Sequence, residues 1–263
     1  MKILFIGDIV GKIGRRIVKD KVSYFVNKYD IDFVIANGEN ATHGKGLIYN
    51  HYLELINSGI DVITLGNHYD SKNEIWKYID RVDRLVRPAN LLKPFPGEGS
   101  IIFDIDGINV RVTNILGTAF INEEVNNPYY SLLEILSEDE NVTIDIVDFH
   151  AEATAEKMSF ARAFDGKVSA VLGTHTHVQT NDARILPHGT AFISDVGMCG
   201  EYDSVLGFET ESVVNKTVYG KEQKFQINEQ GKGLFSAVVI EVDDITGLAK
   251  NIFPIYYVEE EEK

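Results

Sequence analysis

The sequence has little cysteine, few cations and no long apolar run, and each shortage excludes a class of protein. Cys199 is the only cysteine, so no disulfide can form within the chain and a reducing compartment is expected. Lysine and arginine number 25 against 40 acidic residues, and the formal net charge of -15 disfavours non-specific binding to nucleic acid. No apolar stretch has the length of a membrane span, and the run in KILFI is too short for a signal peptide. These absences predict a cytoplasmic protein without a membrane anchor.

Apolar runs and amphipathic segments alternate in the first third of the chain. Predicted strands and helices follow one another there, beginning with a strand, at 2–6, 13–29, 32–36, 50–59, 61–65 and 72–82. This alternation is typical of an α/β fold with parallel strands, because each helix returns the chain to the same end of the sheet.

The rest of the chain adds further strands and helices without a repeat or a linker. Asp106–Gly107 joins two β runs and is a strong hairpin signal, and Pro128 begins a predicted helix at 128–139. Hydrophobic residues make up 44% of the chain, enough for a large core. We therefore expect an α/β protein with a single domain, residues 1–263, built as a two-sheet β-sandwich flanked by helices. The acidic end, 259–263, is expected to be a frayed, solvated tail.

Polar side chains follow the predicted strands at the point where each strand ends. In chain order they are Asp8, then Glu39 and Asn40, then Asn67 and His68, then His150, and finally His175 and His177. Ligands bind at this edge in open α/β sheets. Each residue alone has an ordinary alternative as a helix cap, a turn residue or a core histidine. Their agreement in type and position predicts one shared site.

The segment GTHTH, residues 173–177, places two imidazoles one residue apart just past an apolar strand. Within a strand they would face opposite sides, but an irregular segment can turn both toward one point. Together with the carboxylates and amides they form an oxygen and nitrogen donor set without thiolate, which suits iron, manganese or zinc. Because the set is too large for one ion, a dinuclear centre with a bridging carboxylate is predicted.

The order GD, GEN, GNH, H and GTHTH resembles the calcineurin-like metallophosphoesterases, and more closely their YmdB-like bacterial branch, over almost the whole chain. The superfamily opens with Asp-x-His, whereas residues 8–10 here lack the histidine. Its second motif begins with Gly-Asp, whereas residues 38–40 here read Gly-Glu-Asn, an exchange that the YmdB-like branch shares. By this resemblance Glu39 is the bridging carboxylate, and Asn40 takes the coordination position of the missing histidine.

The resemblance implies a ligand set for two ions, with iron as the expected metal and manganese as the alternative. The sets are Asp8, Glu39, Asn40 and His177 for metal 1, and Glu39, Asn67, His150 and His175 for metal 2. His68 adjoins a ligand without being one, and the resemblance implies that it donates the proton to the leaving group.

These features predict a metal-dependent phosphodiesterase that hydrolyses small cyclic nucleotides by attack of a hydroxide bridging the two metals. The resemblance favours 2′,3′-cyclic nucleotides over 3′,5′-cyclic ones. A phosphomonoesterase or nucleotidase is the nearest alternative. A regulatory protein that binds metal and nucleotide with little turnover is an alternative of another class. His68 argues against this alternative, because a protein that only binds a nucleotide needs no proton donor. A homo-oligomer remains open.

Residues near these motifs have two interpretations each. His43 and Lys45 either reach a substrate phosphate or belong to a solvated loop. Glu152 either orients His150 or lies in the first turn of a helix. The arginine pair at 15–16 is expected at the surface.

Overall fold

Two β-sheets pack face to face in the computed structural model of this chain, which describes residues 1–139 and 141–260. The described strands are β1 (Lys2–Ile6), β2 (Asp8–Ile9), β3 (Phe33–Asn37), β4 (Val62–Thr64), β5 (Leu85–Val86), β6 (Ser100–Ile105), β7 (Ile108–Leu116), β8 (Ile144–His150), β9 (Ala170–Thr174), β10 (Arg184–Ile185), β11 (Ala191–Ile193), β12 (Met198–Glu201), β13 (Gly233–Val242) and β14 (Ala249–Val258). The described α-helices are α1 (Gly11–Tyr29), α2 (Tyr49–Asn57), α3 (Pro128–Glu138), α4 (Thr154–Ala163) and α5 (Thr210–Thr217).

The strand order brings the carboxyl ends of several parallel strands to one edge in each sheet. The first sheet has the order β2-β12-β13-β1-β3-β4-β5, with β14 paired to β13, and its strands β1, β3, β4 and β5 are parallel. The second has the order β10-β11-β9-β8-β7-β6, in which β7, β8, β9 and β11 are parallel. The polar residues predicted at strand ends are therefore delivered to two edges that face each other.

Strand β1 shows how the sequence matches these layers. After Lys2 it is entirely apolar, because both of its faces are covered. Ile3 and Phe5 pack in the core between the two sheets, whereas Leu4 and Ile6 pack in the cluster that includes helix α1. A further apolar cluster lies between the second sheet and helices α3 and α4. The predicted α/β sandwich flanked by helices is confirmed.

One predicted helix is wrong. Residues 72–82 form two short 3₁₀ segments, Asn73–Lys77 and Ile79–Arg81, in place of an α-helix. Tyr78 separates the segments with a non-helical φ of -132°, and its buried hydroxyl donates to the carbonyl of Leu47 at 2.8 Å. The non-helical backbone at Tyr78 interrupts the ladder of α-helical hydrogen bonds and leaves two short 3₁₀ segments, and the side chain is held by a distant part of the chain that the local pattern does not include.

The acidic end of the chain and Arg15 also depart from expectation, whereas Arg16 lies at the surface with 40% of its side chain exposed. Glu259 accepts two hydrogen bonds from Arg16, at 3.0 and 2.7 Å, so the predicted tail is tied down at its first residue. Arg15 has only 11% of its side chain exposed and donates to Glu54 at 2.8 Å, so it is not a surface residue. Residues 261–263 of the predicted tail lie outside the described residues.

The single cysteine and the helices bear on the expected compartment and on membrane insertion. Cys199 is buried, which raises the pKa of its thiol, and it packs as a small core residue. None of the helices in the described ranges combines the length and the apolar character that crossing a membrane requires.

Candidate metal centre

The predicted site residues meet where the carboxyl ends of the two sheets face each other. Those on the first sheet follow β1, β3 and β4, and those on the second end β8 or follow β9. All eight join one network of contacts within the described chain: Asp8, Glu39, Asn40, Asn67, His68, His150, His175 and His177. Asp8, Glu39, Asn40 and His150 are buried, and Asn67, His68, His175 and His177 are partly exposed.

The GTHTH segment turns both imidazoles toward this network by adopting an unusual backbone. Strand β9 ends at Thr174, after which His175 has a φ of 105° and His177 a φ of 65°. Residues other than glycine rarely adopt positive φ, and such strain persists only where the surroundings hold it. His177 Nδ1 donates a hydrogen bond to the carbonyl oxygen of Leu206 at 3.0 Å. The irregular segment expected past this strand is therefore present.

A buried ion pair beneath the segment holds it in place. Lys157 Nζ donates to Asp195 Oδ2 and to the carbonyl of Thr174, each at 2.8 Å, and the N–H of Thr176 donates to Asp195 Oδ2 at 2.9 Å. Both charged side chains are at most 2% exposed. Lys157 was not among the predicted functional residues. The signal for it was its place in the otherwise apolar stripe of helix α4 that includes Phe160.

Glu39 lies at the centre of the network. Its Oε1 is 3.1 Å from Asn40 Nδ2 and 3.2 Å from His150 Nε2, and its Oε2 accepts the backbone N–H of His68 at 3.0 Å. A Cβ atom at Gly66 would lie 2.2 Å from Glu39 Oε2 and 2.5 Å from His150 Nε2. Glycine is therefore required at position 66, because any side chain there would occupy the space of the network.

His150 is oriented by a hydroxyl and a carboxylate behind it. Its Nδ1 is 2.8 Å from Thr174 Oγ1, which in turn donates to Asp148 Oδ1 at 2.6 Å. This chain directs Nδ1 and its proton toward Thr174, so Nε2 is the nitrogen that would bind a metal ion. Nε2 is 3.0 Å from both Asn67 Oδ1 and His175 Nδ1. The expected orienting role of Glu152 toward His150 is wrong.

Glu152 lies elsewhere because of the turn that precedes helix α4. That helix begins at Thr154, so Glu152 is not in its first turn either. Its carboxylate Oε2 is 3.0 Å from His175 Nε2. It therefore contacts the other imidazole of the pair, on the side that faces the solvent.

Asp8 gives the clearest evidence that this network fits a cation. Its side chain is fully buried, and Oδ2 accepts the backbone N–H of His175 at 3.2 Å. Oδ1 has no hydrogen-bond partner within the described part of the chain, and the imidazoles of His150 and His177 stand 3.9 Å from it. Buried carboxylate oxygens are normally paired, so this donor set fits a bound cation. Glu39, His150 and His175 also offer ligand atoms within 4.8 Å of one another.

The charges in the network perturb one another's pKa values. Burial alone would raise the pKa of Glu39, but the imidazoles of His150 and His68 outweigh it and hold that pKa well below its usual value. Burial would lower the pKa of His150, yet Glu39 and Asp8 raise it to about 9. Burial and the neighbouring His150 lower the pKa of His175 to about 3. Burial raises the pKa of Asp8 well above its usual value.

An open cavity of about 250 Å³ connects the network with solvent. Its polar lining includes Glu39, Asn40, His68, Glu152, His175, Thr176 and His177, and its apolar lining is formed by the side chains of Leu206 and Phe208. Neither apolar residue was predicted from the sequence. Of the loop at 43–45 only Gly44 lines this cavity, while His43 is exposed and lies 3.3 Å from Glu229. This arrangement favours the solvated-loop interpretation of His43 and Lys45.

Two facing sheets of this topology, with a carboxylate, amide and imidazole cluster at their shared edge, define a protein of the metallophosphoesterase type. The family follows from the sequence itself. Residues 4–255 match the family described as YmdB-like protein, and the chain belongs to that family. The resemblance predicted from the motifs is thereby confirmed.

Named relatives and solved structures cover nearly the whole chain. It is 47% identical over 253 residues to a Bacillus subtilis (strain 168) protein named 2′,3′-cyclic-nucleotide 2′-phosphodiesterase, over 96% of this chain and 95% of that protein. It is similar to a solved structure described as a novel phosphatase from Mycoplasma pneumoniae, with a TM-score of 0.93, 39% identity and coverage of 99% and 94%. A hypothetical protein from Thermus thermophilus has a TM-score of 0.92, 37% identity and coverage of 99% and 100%.

Proposed function

We propose that this protein is a metal-dependent phosphodiesterase that hydrolyses cyclic nucleotides, with 2′,3′-cyclic nucleotides as its main substrates. The observation that carries the proposal is the buried, unpartnered oxygen of Asp8 within a carboxylate and imidazole network at the floor of an open cavity. The 47% identical relative named as a 2′,3′-cyclic-nucleotide 2′-phosphodiesterase supports the same substrate class.

The proposed ligands divide into two groups that share Glu39. In one group Asn40 Nδ2 lies 2.9 Å from His177 Nε2, and Asp8 is the carboxylate. In the other group His150 Nε2 contacts Asn67 and His175. Glu39 Oε1 touches a member of each group, at 3.1 and 3.2 Å, which is the position that a bridging carboxylate needs. Two transition metal ions, iron or manganese, are proposed on the basis of this donor set.

When bound, such ions would screen the phosphate charge and lower the pKa of a coordinated water toward neutrality. The chain itself must then supply a proton to the leaving oxygen. His68 lines the cavity with 25% of its side chain exposed, and its Nδ1 is 3.0 Å from Asn40 Oδ1. Because Nδ1 donates to that amide oxygen, Nε2 is the nitrogen that would exchange a proton with the substrate.

A second candidate is a phosphomonoesterase, which the description of the Mycoplasma pneumoniae structure as a phosphatase favours.

Metal analysis of untreated protein and a substrate panel separate the candidates. We expect two equivalents of transition metal per chain and the highest kcat/KM on 2′,3′-cyclic nucleotides. Faster hydrolysis of nucleoside monophosphates would favour the monoesterase. Nucleotide binding without hydrolysis by metal-replete protein would favour a regulatory binder, and a single metal equivalent after reconstitution would contradict the dinuclear site.

Replacing Thr174 by valine should weaken the binding of Mn²⁺ roughly 10-fold, because partners behind a ligating histidine fix its orientation. The substitution removes the hydroxyl between His150 and Asp148 while keeping the shape of the side chain. Thr64→Val is a matched control, since Thr64 Oγ1 also donates to Asp148, at 2.6 Å. Titration with Mn²⁺ measures both variants. Equal affinities in the two variants would contradict the orienting role of Thr174.

A further inference from the structure

A tight turn beside the cluster places a leucine where the backbone favours other residues. Val205 and Phe208 exchange both backbone hydrogen bonds at 3.0 Å, and the central residues Leu206 and Gly207 have φ values of 56° and 92°. Positive φ at both central positions defines a type I′ turn, for which asparagine or aspartate followed by glycine is preferred. Leucine at the first central position is sterically strained.

The same chain contains a turn of this kind with the preferred residues. Strands β6 and β7 are joined by Asp106 and Gly107, whose φ values are 52° and 85°. That hairpin follows the usual preference, whereas the turn at Leu206 does not. The contrast identifies the leucine side chain, rather than the turn, as the feature to be explained.

Packing within the chain does not account for this leucine. Its side chain is 41% exposed and lines the cavity over the cluster. Its backbone is fixed on both sides, because its carbonyl accepts from His177 Nδ1 and because a Cβ at Gly207 would lie 2.5 Å from Val10. An exposed apolar side chain is thus held in a strained conformation at the mouth of the site.

Phe208 completes an apolar wall next to Leu206. Its ring is half-buried and lies 5.4 Å from the ring of Phe225, so it is supported from behind. The remaining side chains that line the cavity are polar or charged. The cavity therefore has one polar part, suited to a phosphate, and one apolar wall, suited to a flat apolar group attached to it.

We propose that Leu206 and Phe208 form a seat for the nucleobase of the substrate. This inference rests on the proposed function, since it assigns the part of a cyclic nucleotide that does not react. The ribose carries hydroxyl groups, so the base is the part whose faces match an apolar wall. The two side chains offer no hydrogen-bonding group, so they contact the face of a base and not its edge. Purine and pyrimidine substrates should therefore both be accepted.

The test uses metal-loaded protein and the variants Leu206→Asn and Leu206→Gly, both of which suit the turn. Their Tm should rise by about 2 °C as the strain is relieved. Their KM for 2′,3′-cyclic AMP should rise roughly tenfold, the lower range of what burying one leucine side chain contributes. The preference for 2′,3′-cyclic AMP over methyl riboside 2′,3′-cyclic phosphate, which has no base, should fall by the same factor. Asp106→Asn in the other turn is the matched control and should change neither KM nor preference.

The outcomes distinguish this inference from the proposed function. If wild-type protein hydrolyses both cyclic phosphates but the Leu206 variants keep its preference, the base seat is wrong and the phosphodiesterase stands. A lower Tm together with an unchanged KM would show that the leucine has a packing role and would also overturn the seat. Wild-type protein that hydrolyses neither compound would overturn both proposals.

Discussion

Replacing His68 by alanine is expected to lower the hydrolysis of 2′,3′-cyclic AMP by roughly 10²–10⁴-fold while metal content stays nearly unchanged. The imidazole is removed, but the backbone N–H that donates to Glu39 Oε2 at 3.0 Å remains. The central carboxylate of the network should therefore keep its position. The loss should be smaller for a nitrophenyl ester, because nitrophenolate leaves with little need for a proton.

Steady-state kinetics and elemental analysis of the same samples measure this effect. His188→Ala is a matched control, since that imidazole is exposed and its ion pair is with Asp165. Loss of metal in the His68 variant would make His68 a ligand. If the rate of hydrolysis fell by the same factor for 2′,3′-cyclic AMP and for the nitrophenyl ester, the role of His68 in protonating the leaving group would be contradicted.

Replacing Lys157 by methionine should lower the free energy of unfolding by about 3–5 kcal/mol, the usual effect of removing one partner of a buried ion pair. Methionine fills much of the same volume but leaves the Asp195 carboxylate buried without its cation. It also removes the hydrogen bond to the carbonyl of Thr174, so the strained GTHTH segment loses part of its support. Activity should therefore decrease together with stability.

Urea unfolding monitored by fluorescence and by circular dichroism measures this change. Lys250→Met is a matched control, because Lys250 pairs with Asp243 at 2.7 Å but is largely exposed, and its removal should have little effect. Adding Asp195→Asn to the Lys157 variant should restore part of the stability, because the buried charge is then gone. Equal stability of the Lys157 and Lys250 variants would contradict the supporting role of the buried pair.

Much of the site could be predicted because the residues able to bind metal stand in the sequence directly after the predicted strands. Each polar residue follows an apolar run, so the parallel topology that the strand–helix alternation implies brings Asp8, Glu39 and Asn67 to one edge. The second sheet delivers His150 and His175 to the facing edge by the same rule. Only the type of residue and its place after a strand were needed, and both are local properties of the sequence.

The parts that could not be predicted depend on contacts between distant segments. The helix expected at 72–82 is interrupted at Tyr78, whose hydroxyl contacts the distant Leu47. Glu152 contacts His175 because the chain turns before α4, which no periodicity reveals. The strained conformation of Leu206 could not be predicted, because the sequence Leu-Gly does not indicate a turn with positive φ at both residues. In each case the local pattern was compatible with several structures, and the packing of remote residues selected one.

The cluster draws on both sheets, and this has a consequence for the apolar layer between them. Phe5 and Ile146 belong to that layer, and their strands lead within a few residues to Asp8 and His150. The thickness of the layer therefore sets the gap across which the two halves of the cluster meet. Interiors packed at crystal-like density transmit small displacements instead of absorbing them. A substitution deep in this layer can therefore misalign the reacting groups while the chain stays folded. The apolar core thus determines the distance between the two groups of site residues as well as the stability of the fold.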